Sequence, residues 1–300
     1  MNTRIKALLA VSIVTIIYGL TFTIAKEVMP HYVKPFGFIF LRVFAAMLIF
    51  WFLSLFIKND TIEKGDYKII ALSAFFGIAL NMLTFFKGLN YTTPISASVM
   101  MVTSPILVLI FSSILTKERP TLVKILGVII GLIGAVVLIA YGGKSGANAK
   151  NMMLGNLLVF INAASYGMYL VIVKKVVAKY NPITFIRWLY LFGFLFVLPF
   201  GYTEFSEIQW QTIPVSGYLR IGFVVIFASC ITYLFNLFAL SKLKPTTVSV
   251  FIYLQPVVAS IYALLVGSDH LNTVKVLASI LIFVGVYLVS KQSPQASNSK

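Results

Sequence analysis

"PISASVMMVTSPILVLIFSSILTKERPTLVKILGVIIGLIGAVVL", residues 94–138, returns 151 residues later as "PTTVSVFIYLQPVVASIYALLVGSDHLNTVKVLASILIFVGVYLV", residues 245–289. Ten positions are identical between the two stretches, among them Pro94/Pro245, Ser98/Ser249, Pro105/Pro256, Lys124/Lys275 and Gly134/Gly285, and Glu118 falls on Asp269. Each copy holds two apolar runs, the first interrupted by a proline, joined by a short loop that carries the acid. In a hydrophobic chain, such a repeat predicts two equivalent halves around a central path for a transported solute.

Composition agrees with that reading. The 300 residues are 60% apolar and 11% charged, against roughly 45–50% and about 25% in soluble domains. A polytopic membrane protein is implied. The net charge of +16 does not point to nucleic acid, because the Lys and Arg residues are scattered through short loops between apolar runs, where they signal topology. Cys230 is the single cysteine and lies in an apolar run, while His31 and His270 fall in separate loops. Neither a disulfide nor a metal or other cofactor site is expected from that set.

Apolar runs near the length of about 20 residues that a helix needs to cross the hydrocarbon occur at 7–25, 36–57, 69–89, 95–115, 122–141, 154–173, 184–202, 219–240, 246–266 and 273–290. The first run is followed by Lys26-Glu27 and not by a small-residue cleavage site, so it reads as a helix and not as a leader. The expected fold class is all-α, with ten transmembrane helices forming an inverted repeat of two five-helix units, 7–141 and 154–290. A linker, 142–153, joins them, and 291–300 forms a tail. The segment Thr203 to Tyr218 reads as an interfacial loop with Trp210 at headgroup depth.

Fifteen Lys and Arg residues collect on the side holding both termini, six on the other, and Arg42, Arg187 and Arg220 lie within or at the edge of spans. The excess places both termini in the cytoplasm. Five spans separate equivalent positions, an odd number, so the halves run in opposite directions through the bilayer.

The stretch from Gly88 to Ile139 has Tyr91 before a helix of small residues, a mid-helix Pro105, an acid in a tight loop and a Gly-rich following helix. It resembles the EamA domain of the drug/metabolite transporter superfamily, and Ala239 to Val289 is similar to that domain's second copy. The resemblance covers nearly the whole chain. It departs at Tyr18-Gly19, where the family often has Trp-Gly, at Asp269 in place of Glu, and at Ala278 in place of Gly. The resemblance implies an alternating-access carrier whose first, third and fourth helices and their repeats surround the substrate path, with export of amino acids or related metabolites. Small multidrug transporters, distant relatives by fold, carry a membrane-embedded Glu in the first helix. Here all eight acids lie outside the ten runs, which argues against a proton relay of carboxylates within the bilayer.

Polar residues in mid-span supply the candidate substrate-binding set: Tyr18, Asn81, Thr84, Ser98, Ser104, Asn162, Tyr166, Thr232, Asn236, Tyr253 and Gln255. A Ser or Thr in a helix can bond its own backbone, whereas a buried amide needs several partners, so Asn81, Asn162, Asn236 and Gln255 stand out. Pro105 and Pro256 each remove a backbone donor and bend a helix, either as packing kinks or as gating elements beside a cavity. Arg42 and Arg187 correspond in the repeat if a three-residue gap is allowed. Each either snorkels to the interface or serves as an anchor for exposed carbonyls or a substrate anion. Gly127, Gly131 and Gly134 form a small-residue face on the fifth span, and Ala278, Ile282 and Gly285 a bulkier one on the tenth. Glu118 and Asp269 read as caps of the helices that follow them.

The expected protein is a transporter in the bacterial cytoplasmic membrane, a monomer or homodimer, with the lipid bilayer and a small-molecule substrate as its partners. A translocator of lipid-linked or nucleotide-linked sugars would need more cations converging on the cavity than two arginines. An integral membrane transferase would need an acidic metal cluster or a catalytic histidine.

Overall fold

The computed structural model describes residues 3–116, 120–141, 151–174, 176–177, 179–243 and 251–290. Expectations for Glu118, Ser249, the tail and most of the 142–153 linker lie outside them. The described residues are mostly helical and show no strand, with ten helical stretches: α1 (Thr3–Val28), α2 (Pro35–Ser54), α3 (Asp66–Tyr91), α4 (Pro94–Met101 and Ser104–Thr116), α5 (Leu122–Tyr141), α6 (Met152–Val173), α7 (Pro182–Ser206), α8 (Val215–Lys242), α9 (Phe251–Leu265) and α10 (Thr273–Ser290). The first eight are long and apolar enough to cross a membrane; α9 and α10 are apolar but shorter.

Several helices overrun the apolar runs, because a helix continues into the interface beyond the hydrocarbon. Glu27, Asp66 and Glu204 therefore sit in helix ends and not in loops. The segment 203–218 is likewise mostly helical: α7 reaches Ser206, a 3-10 turn spans Trp210–Thr212, and α8 starts at Val215. Starts are marked by Thr93-Pro94 and Asn181-Pro182, where the side chains of Thr93 and Asn181 accept from Ser96 N and Ile183 N.

Four packing relations organise the bundle: α2 with α7, α5 with α10, α3 with α6, and α1 with α8. The α2 and α7 helices run antiparallel, since Phe40 packs on Phe205 at 4.6 Å while Trp51 meets Trp188 at 5.5 Å. Their ends are capped reciprocally. Glu204, near the end of α7, accepts from Phe36 N at 2.7 Å and Gly37 N at 3.1 Å at the start of α2, and Asp60, just after α2, accepts from Asn181 N at the start of α7. Each carboxylate faces the positive end of the partner helix.

The α5 and α10 helices also run antiparallel, and their two small-residue faces meet each other. A side chain at Gly285 would come within 2.5 Å of Gly131 N and 2.6 Å of Gly127 O, and one at Gly134 within 2.9 Å of Ile282. The bulkier face of α10 fills the space that the glycines of α5 leave open.

Asp269 caps a helix, though not the one that follows it. Its Oδ2 accepts from Ile95 N of α4 at 3.0 Å, and its Oδ1 takes Lys275 Nζ at 2.7 Å in a pair with both side chains 4% exposed. The acid thus ties the loop between α9 and α10 to the start of α4 in the other half of the chain. Breaking a buried pair by removing one partner costs about 3–5 kcal/mol, so Lys275→Ala is expected to lower unfolding stability in detergent by that order. Gly285→Leu should destabilise by at least about 1–3 kcal/mol through overpacking against backbone. Chemical denaturation followed by tryptophan fluorescence measures both, and parental stability in either variant would contradict the packing described.

Candidate functional site

A cavity of about 90 Å³, measured as the space open to the centre of a water molecule, lies between α1, α2, α3, α4, α6, α8 and α9. One water needs roughly 10–15 Å³ on that measure, so the space suits several waters or one small metabolite. Tyr18, Thr21 and Phe22 reach it from α1, Arg42 from α2, Asn81, Met82, Phe85 and Phe86 from α3, and Met101 from α4. Asn162 and Tyr166 of α6, Tyr233 of α8, and Ile252 and Gln255 of α9 complete the wall. Arg42 is the charged member of this set.

Six of the residues singled out in the sequence therefore converge: Tyr18, Arg42, Asn81, Asn162, Tyr166 and Gln255. Two more stand directly behind the wall. Thr232 is within hydrogen-bonding reach of the Tyr18 hydroxyl, and Asn236 of the Tyr166 hydroxyl. The remaining hydroxyls bond their own helices: Thr84 to Leu80 O at 2.7 Å, Ser98 to Ile95 O at 2.8 Å and Ser104 to Met101 O at 2.7 Å. Tyr253 turns to α10, edge-on to Phe283.

Asn81 and Asn162 form a reciprocal bridge between α3 and α6. Asn162 Nδ2 donates to Asn81 O at 2.8 Å and Asn81 Nδ2 reaches Asn162 O at 3.4 Å. Asn162 Oδ1 is left with no acceptor role filled among the described residues.

The two prolines stand where a helix stops and restarts. Pro105 follows a break at Val102-Thr103, where Thr103 and Ser104 hydroxyls return bonds to Met100 O and Met101 O, each at 2.7 Å. Pro256 follows the 3-10 turn Phe251–Leu254, and Gln255, the first residue of the new α-helical segment, faces the cavity. Gly19, next to Tyr18, lets this segment approach: a side chain there would lie 2.6 Å from Val258.

The two arginines part company. Arg42, 4% exposed and seven residues into α2, is about 10 Å below the helix start at 1.5 Å per residue. It does not reach the interface; Nε donates to Ser229 Oγ and an Nη2 hydrogen to Ala228 O, both at 2.9 Å. Arg187 lies away from the cavity, stacked on Trp51 at 5.2 Å and Trp188 at 5.9 Å, with Ser54 Oγ at 3.3 Å. Near the same end of the bundle, Tyr180 and Lys179 both donate to Asp66, at 2.6 and 3.0 Å. That carboxylate holds the phenol and the ammonium above their ordinary pKa values, because only their protonated forms can donate to it.

The cavity sits toward the bundle end where α1 finishes and α2 begins. Toward the opposite end, Val11 and Ala239 pack with Leu240, Leu243 and Phe251, and Thr15 Oγ1 bonds Phe251 O at 3.3 Å. A second groove of about 530 Å³, among Leu9, Ile13, Leu234 and Phe238, is larger but open and mostly apolar.

The EamA-like transporter family pattern matches residues 5–140 and again 153–291. The chain belongs to the EamA-like transporter family. This family is part of the drug/metabolite transporter superfamily, and the protein is a multi-pass membrane transporter. It is similar to the uncharacterized transporter YyaM of Bacillus subtilis (strain 168), 25% identical over 92% of this chain and 90% of that one. An uncharacterized transporter of Archaeoglobus fulgidus is 25% identical over 98% and 100% of the two chains. The WAT1-related protein At3g18200 of Arabidopsis thaliana is 26% identical over 84% and 72%. A crystal structure shares the fold at a TM-score of 0.64 and 18% identity, over 95% of this chain and 97% of the other.

Thr21, Phe22, Met82, Phe85, Phe86, Met101, Tyr233 and Ile252 were not singled out by the sequence, since an aromatic, aliphatic or Met side chain in an apolar run reads as core. Thr21 and Tyr233 carried the usable signal, a hydroxyl within an apolar run. Replacing Asn162 with Leu removes the Nδ2 donor of the bridge and leaves Asn81 O to the Thr84 hydroxyl at 3.2 Å, so the loss should be that of a net hydrogen bond, about 0.5–1.5 kcal/mol. Thermal unfolding of the purified variant should show that loss, and an unchanged midpoint would contradict the bridge.

Proposed function

We propose that the protein is a secondary transporter that moves small metabolites, amino acids foremost, through this cavity by alternating access. The observation that carries the reading is a partly open, mixed polar and aromatic cavity walled by helices of both halves. It lies toward one end of the bundle, with an apolar seal at the other. In this reading the state seen here faces the side opposite the termini, and rocking of the halves would exchange seal and cavity.

The packing supports an inverted repeat of two five-helix units. Moving every helix number by five, α2 with α7 and α5 with α10 map onto themselves, and α3 with α6 maps onto α8 with α1. Equivalent helices that cross a membrane antiparallel to one another belong to oppositely oriented halves. The charge distribution in the loops supports cytoplasmic termini in a bacterial inner membrane, and export is the direction we assign. A single copy walls the cavity on its own, which favours a monomer as the working unit. Arg42 as the charged residue of the wall speaks against sugar nucleotides, whose phosphates call for several cations.

Purified protein in proteoliposomes, offered a panel of amino acids, amines and sugars, tests this: at least one amino acid should move, and transport of none of them would sink the reading. Gln255→Ala and Asn81→Ala should each reduce flux by roughly tenfold, the effect of about 1.4 kcal/mol of lost interaction. Ser98→Ala and Ser104→Ala, whose hydroxyls serve their own helices, should stay within about twofold of the parent.

A further inference from the structure

Two side chains on the cavity wall each bond a carbonyl within a π-helical turn of another helix. Helices α3 and α8 contain π-helical turns, Phe75–Ala79 and Ile226–Ile231, and their first residues are 151 apart, the repeat shift. A π-turn displaces the ladder of backbone bonds by one residue and bends the helix. Within lipid, a carbonyl weakened in this way needs a donor from elsewhere. At Gly77 the donor is the Tyr233 hydroxyl, 2.9 Å from the carbonyl oxygen. At Ala228, the position equivalent to Gly77, the donor from another helix is the Arg42 guanidinium, also at 2.9 Å, which shares the carbonyl with the Thr232 hydroxyl of α8 itself at 2.9 Å. Tyr233 and Arg42 both line the cavity. Matching carbonyls of the two turns are thus clamped from one central space, by a phenol in one half and a cation in the other.

The cation lacks a counter-charge. Arg42 is 4% exposed, its partners are a carbonyl, a hydroxyl and the Phe86 ring at 5.0 Å, and it makes no ion pair among the described residues. None of the residues lining the cavity is acidic. A carboxylate offers a guanidinium both the missing counter-charge and two parallel N–H···O bonds, which a single neutral carbonyl does not.

We infer that the cavity takes a solute bearing a carboxylate, that Arg42 receives this group, and that its arrival draws the guanidinium from Ala228 and frees the π-turn of α8 to bend. Tyr233 is the corresponding clamp on α3. The inference rests on the transport reading for its purpose, while the clamp and its release are properties of the protein whether or not it transports. A bound solute can shift a conformational equilibrium only through interactions that differ between states, and the exchange of partners at Arg42 is such an interaction.

Cys230, the single cysteine of the chain, lies inside the α8 turn and is 6% exposed, so its alkylation by N-ethylmaleimide reports release. The full-length protein, in nanodiscs of phosphatidylethanolamine and phosphatidylglycerol, is offered alanine, leucine and phenylalanine at millimolar concentration. The decarboxylated amine and the deaminated acid of each skeleton complete the panel. At least one acid-bearing compound should accelerate alkylation by about threefold or more, and its amine should not. Arg42→Gln should alkylate fast without solute and lose the discrimination; if it does not fold, Arg42→Lys should fold and discriminate less than the parent. Tyr233→Phe should raise deuterium uptake across 75–79. Equal effects of acids and amines, no effect of any acid, or undiminished discrimination in a folded Arg42 variant would each overturn the inference. Flux measured on the same panel separates the two readings: no flux with the alkylation pattern intact removes transport alone, and flux indifferent to the carboxylate removes this inference alone.

Discussion

Inside the hydrocarbon of a bilayer no solvent is at hand to satisfy a backbone carbonyl, so an interruption of a helix must be met by a donor from the protein or by water held in a cavity. This chain interrupts its helices repeatedly: breaks at Pro105 and Pro256, and π-turns at 75–79 and 226–231. Each break that is described in full carries its own remedy. Thr103 and Ser104 hydroxyls serve the carbonyls ahead of Pro105, Ser165 and Tyr233 serve the turn in α3, and Arg42 and Tyr190 the turn in α8. The polar residues in mid-span are therefore first of all the means by which bent helices are tolerated in lipid, and the cavity forms where those bends face one another.

Pairing of equivalent helices explains how the two halves cohere. Reciprocal caps by Glu204 and Asp60 tie the ends of α2 and α7 together, and glycine contacts bring α5 and α10 to close approach. The remaining helices, α1, α3, α4, α6, α8 and α9, meet around the cavity with polar and aromatic surface. The acids act at helix ends, where a positive helix terminus or a lysine offsets them; the clearest case is Asp269, shared between Ile95 N and Lys275.

The membrane class, the apolar runs and the repeat were legible because hydrocarbon imposes length and composition on any helix that crosses it. Asn81, Asn162 and Gln255 were legible as wall residues because an amide in an apolar run is costly unless it has partners. Ser98, Ser104 and Thr84 turn their hydroxyls to their own helices, which a hydroxyl can do on the preceding turn, and periodicity does not reveal which ones do. The Asp269 cap was assigned to the wrong helix, since proximity in sequence favoured α10 while the acceptor in space is used by α4.

Sequence by itself determined that this is a multi-span membrane protein with a duplicated, proline-broken motif and membership in the EamA-like family, because those features reside in composition, spacing and local pattern. Tertiary structure alone decided that Arg42 and Arg187, which the sequence aligned only by allowing a gap, have different surroundings: one clamps Ala228 on the cavity wall, the other stacks on Trp51 and Trp188 outside it. It alone also showed that Tyr233 and Arg42 hold matching carbonyls, Gly77 and Ala228. The physical reason is that a side chain's role in lipid depends on which unsatisfied backbone group lies opposite it, and that is set by how non-neighbouring helices pack.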